Sequence, residues 1–128
     1  MLSELNKEAA EIQSFLEIEC SDQPQEMKER LSMLSVYIAR TGKMLSDAKR
    51  LLREKKSSQI ADTVIKIARE NFLSAKAQNA LVDSLAIEEN MTVDWLDRLN
   101  SACVHQADIC RSILSYTKQE IAASLYNN

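Results

Sequence analysis

Apolar side chains recur along most of this chain at steps of three and four residues, the spacing of one face of an α-helix. Leu2, Leu5, Ala9, Ile12 and Leu16, widened by Phe15, predict a first helix from Leu2 to about Glu19. Ser21-Asp22-Gln23 then precedes Pro24. Proline disfavours helix in the residue before it and suits the first turn of the helix it opens. A second helix is expected from Pro24 to Lys55 or Lys56, with Glu26 in its first turn, where an anion complements the dipole. Its seam is Met27, Leu31, Leu34, Ile38, Thr41, Leu45, Ala48 and Leu52, an unbroken alternation of fours and threes. Tyr37, Met44 and Leu51 broaden that stripe to the width a bundle needs. Such a helix is about 48 Å long.

Lys55-Lys56-Ser57-Ser58 is the next expected boundary, because basic residues suit a helix end and serine suits an N-cap. An uninterrupted helix from Pro24 to Ala86 would reach about 95 Å, more than so small a chain could bury. A third helix is therefore predicted over 59–86, with Ala61, Ile65, Ala68, Phe72, Ala75, Asn79, Val82 and Ala86 as its seam. Glu88 to Thr92 reads as a turn, with Asn90 or Thr92 as N-cap. A fourth helix follows from Val93 to Leu125, its face running from Trp95, Leu96 and Leu99 through Cys103, Ile109 and Cys110 to Tyr116 and Ile121.

Short connections make successive helices antiparallel. The fold class expected is all-α: one domain over 1–128, an elongated up-down-up-down bundle of three long helices plus a shorter N-terminal one. Composition agrees. One glycine and one proline in 128 residues leave too few turn residues for sheets or barrels, and no glycine-rich phosphate loop. With 45% hydrophobic and 27% charged residues, the chain has the material to fold. Glu4 and Glu8 near the start and the lack of a long apolar run predict neither a signal peptide nor a membrane span, hence a cytoplasmic protein.

A net charge of −3 excludes a generally basic nucleic-acid protein, but its distribution is uneven. Residues 1–29 hold eight acids and two bases; residues 40–56 hold seven bases and two acids. A hairpin through Pro24 would set residue n of the first helix opposite residue 44−n of the second, bringing Glu4 near Arg40 and Lys43. Lys49, Arg50, Arg53, Lys55 and Lys56 would lie beyond the first helix and keep their charge. They are the candidate nucleic-acid-binding residues, gripping backbone phosphates. The same residues also suit a solvated last turn that complements its own dipole. Aromatics at 5% supply no stacking platform for single strands.

Catalytic and metal-binding material is sparse. Glu8/Glu11 and Glu26/Glu29 each put two carboxylates on one helix face, as in the magnesium-binding all-α nucleotide pyrophosphohydrolases. In the hairpin register, however, Glu26 and Glu29 lie on the order of 10 Å from Glu11. Glu88, Glu89, Asp94 and Asp97 crowd one turn, where the helix dipole already accounts for acids. Cys103-Val104-His105 is no zinc pattern, because residues two apart on a helix diverge. Cys103 and Cys110 are about 10 Å apart in rise, too far for a disulfide. With Cys20 they read as reduced thiols, mostly core filler. Gly42, mid-helix, predicts a close helix crossing. No metal and no cofactor are expected.

Two resemblances bear on function. Arg98 and His105, seven apart on one face, are similar to the arginine–histidine motif of HEPN-type ribonucleases, small helical bundles. There they would orient phosphate and assist attack by the ribose hydroxyl. That family has a polar residue directly after the arginine; here Leu99 stands there. Val36-Tyr37-Ile38-Ala39-Arg40-Thr41-Gly42-Lys43-Met44-Leu45 with Asp47-Ala48-Lys49, and Val93-Asp94-Trp95-Leu96-Asp97-Arg98-Leu99-Asn100, resemble small uncharacterised helical proteins of bacterial prophages and mobile elements. That resemblance implies a bacterial cytoplasmic setting and a helper role. The function expected is a non-enzymatic module that binds a protein partner or self-associates. The alternatives are a nucleic-acid accessory protein and an HEPN-like ribonuclease.

Overall fold

The computed structural model describes residues 1–126, and among them the regular structure is all helical. Five helices follow in order: α1 (Leu2–Glu17), α2 (Pro24–Lys56), α3 (Gln59–Glu70), α4 (Ala75–Leu85) and α5 (Ile87–Tyr126). Side-chain pairs give the directions. Arg40 meets Glu8 and Arg30 meets the carbonyls of Phe15 and Leu16, so α1 and α2 are antiparallel. Asn100 meets Ile38 and Thr41, and Gln106 meets Arg30, so α2 and α5 are antiparallel. Thr92 meets Asn6 and Trp95 meets Gln13, so α1 runs parallel to α5.

These three helices share one core. Leu5, Ala9 and Ile12 of α1 pack with Leu34, Met44 and Ala48 of α2 and with Leu96, Leu99, Cys103, Ala107 and Cys110 of α5. The buried positions on α5 keep the helical steps of three and four, whereas Ile109, Tyr116 and Ile121, expected on that face, are exposed. Two polar devices fix the register. The Asn100 Nδ2 donates to the Ile38 carbonyl at 3.1 Å and to Thr41 Oγ1 at 2.9 Å, while the buried Thr41 hydroxyl donates to the Tyr37 carbonyl at 2.7 Å. At the other end, Arg30 lies over the Phe15 ring, 4.6 Å from its centre. Its Nη2 donates to Gln106 Oε1 at 2.8 Å and to the Phe15 and Leu16 carbonyls at 3.3 Å. Carbonyls in the last turn of a helix lack the usual i+4 amide, and this guanidinium shares the C-terminal capping of α1 with the Ile18 amide, which donates to Phe15, and Gln106 Nε2, which donates to Leu16.

Several expectations change. The helix predicted over 59–86 is two helices, α3 and α4, folded as a hairpin against each other. The break is a Schellman turn. The Leu73 amide donates to the Ala68 carbonyl and the Phe72 amide to the Arg69 carbonyl, with Phe72 left-handed at φ 57°. Glycine is the usual residue there, and a phenylalanine gives no warning of a stop. Phe72, Ala75 and Asn79 leave the expected seam for solvent, and the hairpin closes over Ala61, Ala68, Val82 and Ala86. The 88–92 turn is already helix: α5 starts at Ile87, and the Thr92 hydroxyl is buried 2.8 Å from Asn6 Oδ1. Nothing between Ala86 and Thr92 breaks a helix, and Glu88 and Glu89 suit a first turn. Ser58, in contrast, caps α3 as its type suggests, accepting from the Ala61 amide at 3.3 Å.

The first hairpin is also one turn out of the expected register, since Arg40 meets Glu8 rather than Glu4. The connector of residues 18–23, extended at Ile18, sets this offset. Gly42 makes no close crossing. A Cβ there would meet only the Asn100 amide nitrogen, at 4.0 Å, which is ordinary contact. Gly42→Ala is therefore expected to raise the unfolding free energy by about 0.5–1 kcal/mol in urea titrations.

Candidate functional site

The basic end of α2 carries the five candidate phosphate-binding residues. Lys49, Arg53 and Lys56 follow at steps of four and three and share a face, with Arg50 beside them. Lys55 lies on another side, in a shallow cleft with Leu2, Leu51, Glu54 and Glu89. The five candidates thus do not form a single patch. Much of the charge is also answered. Lys56 Nζ pairs with Asp83 of α4 at 3.0 Å, and Arg50 approaches Glu54 at 3.9 Å. Upstream, Lys43 pairs with Asp47 at 3.0 Å. The Arg40 guanidinium holds Glu8 at 2.6 Å, and that hydrogen bond raises the arginine's pKa. Lys49, Arg53 and Lys55 have no ion-pair partner among the described residues.

Arg98 and His105 are both exposed on α5, and neither lines any of the larger clefts among the described residues. Asp108, one turn beyond His105, is held by Arg111 at 2.9 Å. Of the paired acids, Glu8 is committed to Arg40. Among the described residues no cluster of three or more histidine, cysteine or carboxylate side chains is arranged to hold a metal ion.

The largest cleft, about 830 Å³, opens between the starts of α1 and α5, walled by Leu2, Asn6, Met91, Thr92 and Trp95. Two of its polar side chains are paired with each other, Thr92 with Asn6, and the Trp95 Nε1 donates to Gln13 Oε1 at 3.2 Å. A second cleft, about 410 Å³, lies at the opposite end, where the α1–α2 connector meets α5. Cys20 and Cys110 both line it, beside Met27 and Arg30. Burial pushes the Cys110 thiol up; the nearby Cys20 adds to the shift and Arg30 opposes it. Burial alone raises Cys103.

Sequence reading missed the α3–α4 tip altogether. Phe72 is 95% exposed there, followed by the exposed Leu73. Ile60 and Ile67, seven residues apart on α3, are 62% and 54% exposed. The only available signal was the excess of apolar residues on α3, where Ile60, Val64 and Ile67 extend the face beyond what Ala61 and Ala68 bury. No protein-family model, curated protein or solved structure matched this chain.

Proposed function

We propose that this chain is a non-enzymatic helical module that docks onto another macromolecule, a protein first of all, through the tip of its α3–α4 hairpin. One observation carries this reading: an aromatic residue stands in a left-handed turn, almost wholly in water. A bulky side chain at positive φ costs roughly 1 kcal/mol or more, and Phe72 recovers none of it by burial. Residues held against their local preference cluster at sites of contact and switching. Exposed aromatics are also the common anchors of protein interfaces. Ile60 and Ile67 add apolar surface on the same hairpin. The resemblance to prophage and mobile-element proteins supports a bacterial cytoplasmic setting for such a helper.

The test places a photocrosslinking residue at position 72 of the full chain, in the cells that produce it. A nuclease-resistant protein adduct is expected, lost with Ile67→Asp and absent when the probe sits at Ser112. An adduct to a second copy would identify self-association as the mode. Equal labelling from both positions, or none, overturns the reading. Phe72→Gly separates docking from folding. It relieves the turn, so stability should rise by about 1 kcal/mol while docking is lost.

A second reading rests on Lys49 and Arg53, one turn apart and without carboxylate partners among the described residues. They support phosphate contact with DNA or RNA. Lys49→Glu with Arg53→Glu would then weaken oligonucleotide binding and flatten its salt dependence. No binding at low salt retires this reading.

A further inference from the structure

We propose that Cys20 and Cys110 are a redox pair, which hydrogen peroxide converts into a disulfide fastening the α1–α2 connector to α5. The two thiols wall the same cleft, although they belong to segments far apart in the chain. Cys20 sits outside regular structure, between the end of α1 at Glu17 and Pro24. Its Sγ has one local partner, the Ser21 carbonyl at 3.4 Å, and the residue is only half-buried. Cys110 is buried on α5, a helix held on both α1 and α2. Cys20 is thus the accessible thiol and Cys110 the resolving one, the arrangement of reactive cysteine pairs. Cys103 is fully buried two turns earlier and does not line the cleft. A disulfide needs its Cα atoms within about 7 Å, and the non-helical connector is the element able to adjust.

The chemistry balances. The Cys20 sulfur attacks the peroxide, the O–O bond breaks, and one oxygen is carried as sulfenic acid while the other leaves as water. The Cys110 sulfur then attacks the Cys20 sulfur, the S–S bond forms, and the second oxygen departs as water with the Cys110 proton. Two thiols lose two electrons, and the peroxide becomes two waters. The link closes a loop containing all of α2, α3 and α4 and more than half of α5. A large loop restricts the unfolded chain strongly, so the melting temperature should rise by roughly 10 °C.

The experiment treats the reduced full-length chain with hydrogen peroxide and maps peptides without reduction. The expected product is a monomer two hydrogens lighter, with a Cys20–Cys110 linked peptide and a free thiol at Cys103. Its raised melting temperature should return to the starting value with dithiothreitol. Cys20→Ser should abolish the link and the shift, and Cys103→Ala should abolish neither. The pairing is overturned if Cys20 stops at a sulfur oxyacid, links two chains, or joins Cys103, or if Cys110 remains a thiol.

Discussion

Leu96→Ala is expected to lower the unfolding free energy by about 3 kcal/mol, seen as a fall in the urea midpoint with an unchanged slope. Leu96 is wholly buried on α5. Thr92 and Trp95, just before it, reach α1, and Asn100, just after it, reaches α2. It therefore sits where three helices converge, and the void left by truncation cannot be closed by one helix without opening another contact. Leu96→Met, which keeps volume, should cost less than about 1.5 kcal/mol. Ile121→Ala, on the exposed end of the same helix, should stay within about 0.5 kcal/mol. Equal losses at 96 and 121 would show that α5 does not pack as described.

The second large effect belongs to Arg30. Arg30→Met keeps a side chain of similar reach but removes the guanidinium that lies over the Phe15 ring and donates to the Phe15 and Leu16 carbonyls and to Gln106. Hydrogen bonds from a charged group contribute about 1.5–3 kcal/mol, while the Leu16 carbonyl keeps Gln106 Nε2 and the Phe15 carbonyl keeps the Ile18 amide. A loss of about 2 kcal/mol is expected, with faster hydrogen exchange concentrated in the last turn of α1. Arg30→Lys should rescue little, because an ammonium does not lie flat on the Phe15 ring as the planar guanidinium does. Uniform exchange along the chain would refute the capping role.

Part of this architecture was legible in the chain. Both ends of α2 lie where Pro24 and the Lys56-Ser57-Ser58 boundary place them, because proline geometry and serine capping act locally. Leu96, Leu99, Cys103 and Cys110 of the α5 seam were legible too, since burial enforces its period, whereas the buried Ala107 was not and Ile109 is exposed. The break at 71–74 was not, because alanine-rich seams keep helical steps on both sides of it and Phe72 occupies a glycine position. The start of α5 was misplaced because Asn90 and Thr92 are good caps that the fold uses inside the helix. The excess of bases over 40–56 was visible, and so was an acid of the first helix opposite Arg40, but not which acid, nor the partner of Lys56. Glu8 and Asp83 come from other helices, and only the tertiary pairing brings them to Arg40 and Lys56. That Cys20 and Cys110 line one cleft had no local signal for the same reason.

The Ser57–Ser58 break and the Ala86 break lie at one level of the molecule, because Lys56 pairs with Asp83 across them. Both arms of the hairpin are thus scored at the same height. Ala61 and Ala86, next to the two breaks, are fully buried, so the base of the hairpin is packed as well as ion-paired. The molecule is shaped as a handle of three helices bearing a finger of two, with the exposed aromatic at the fingertip.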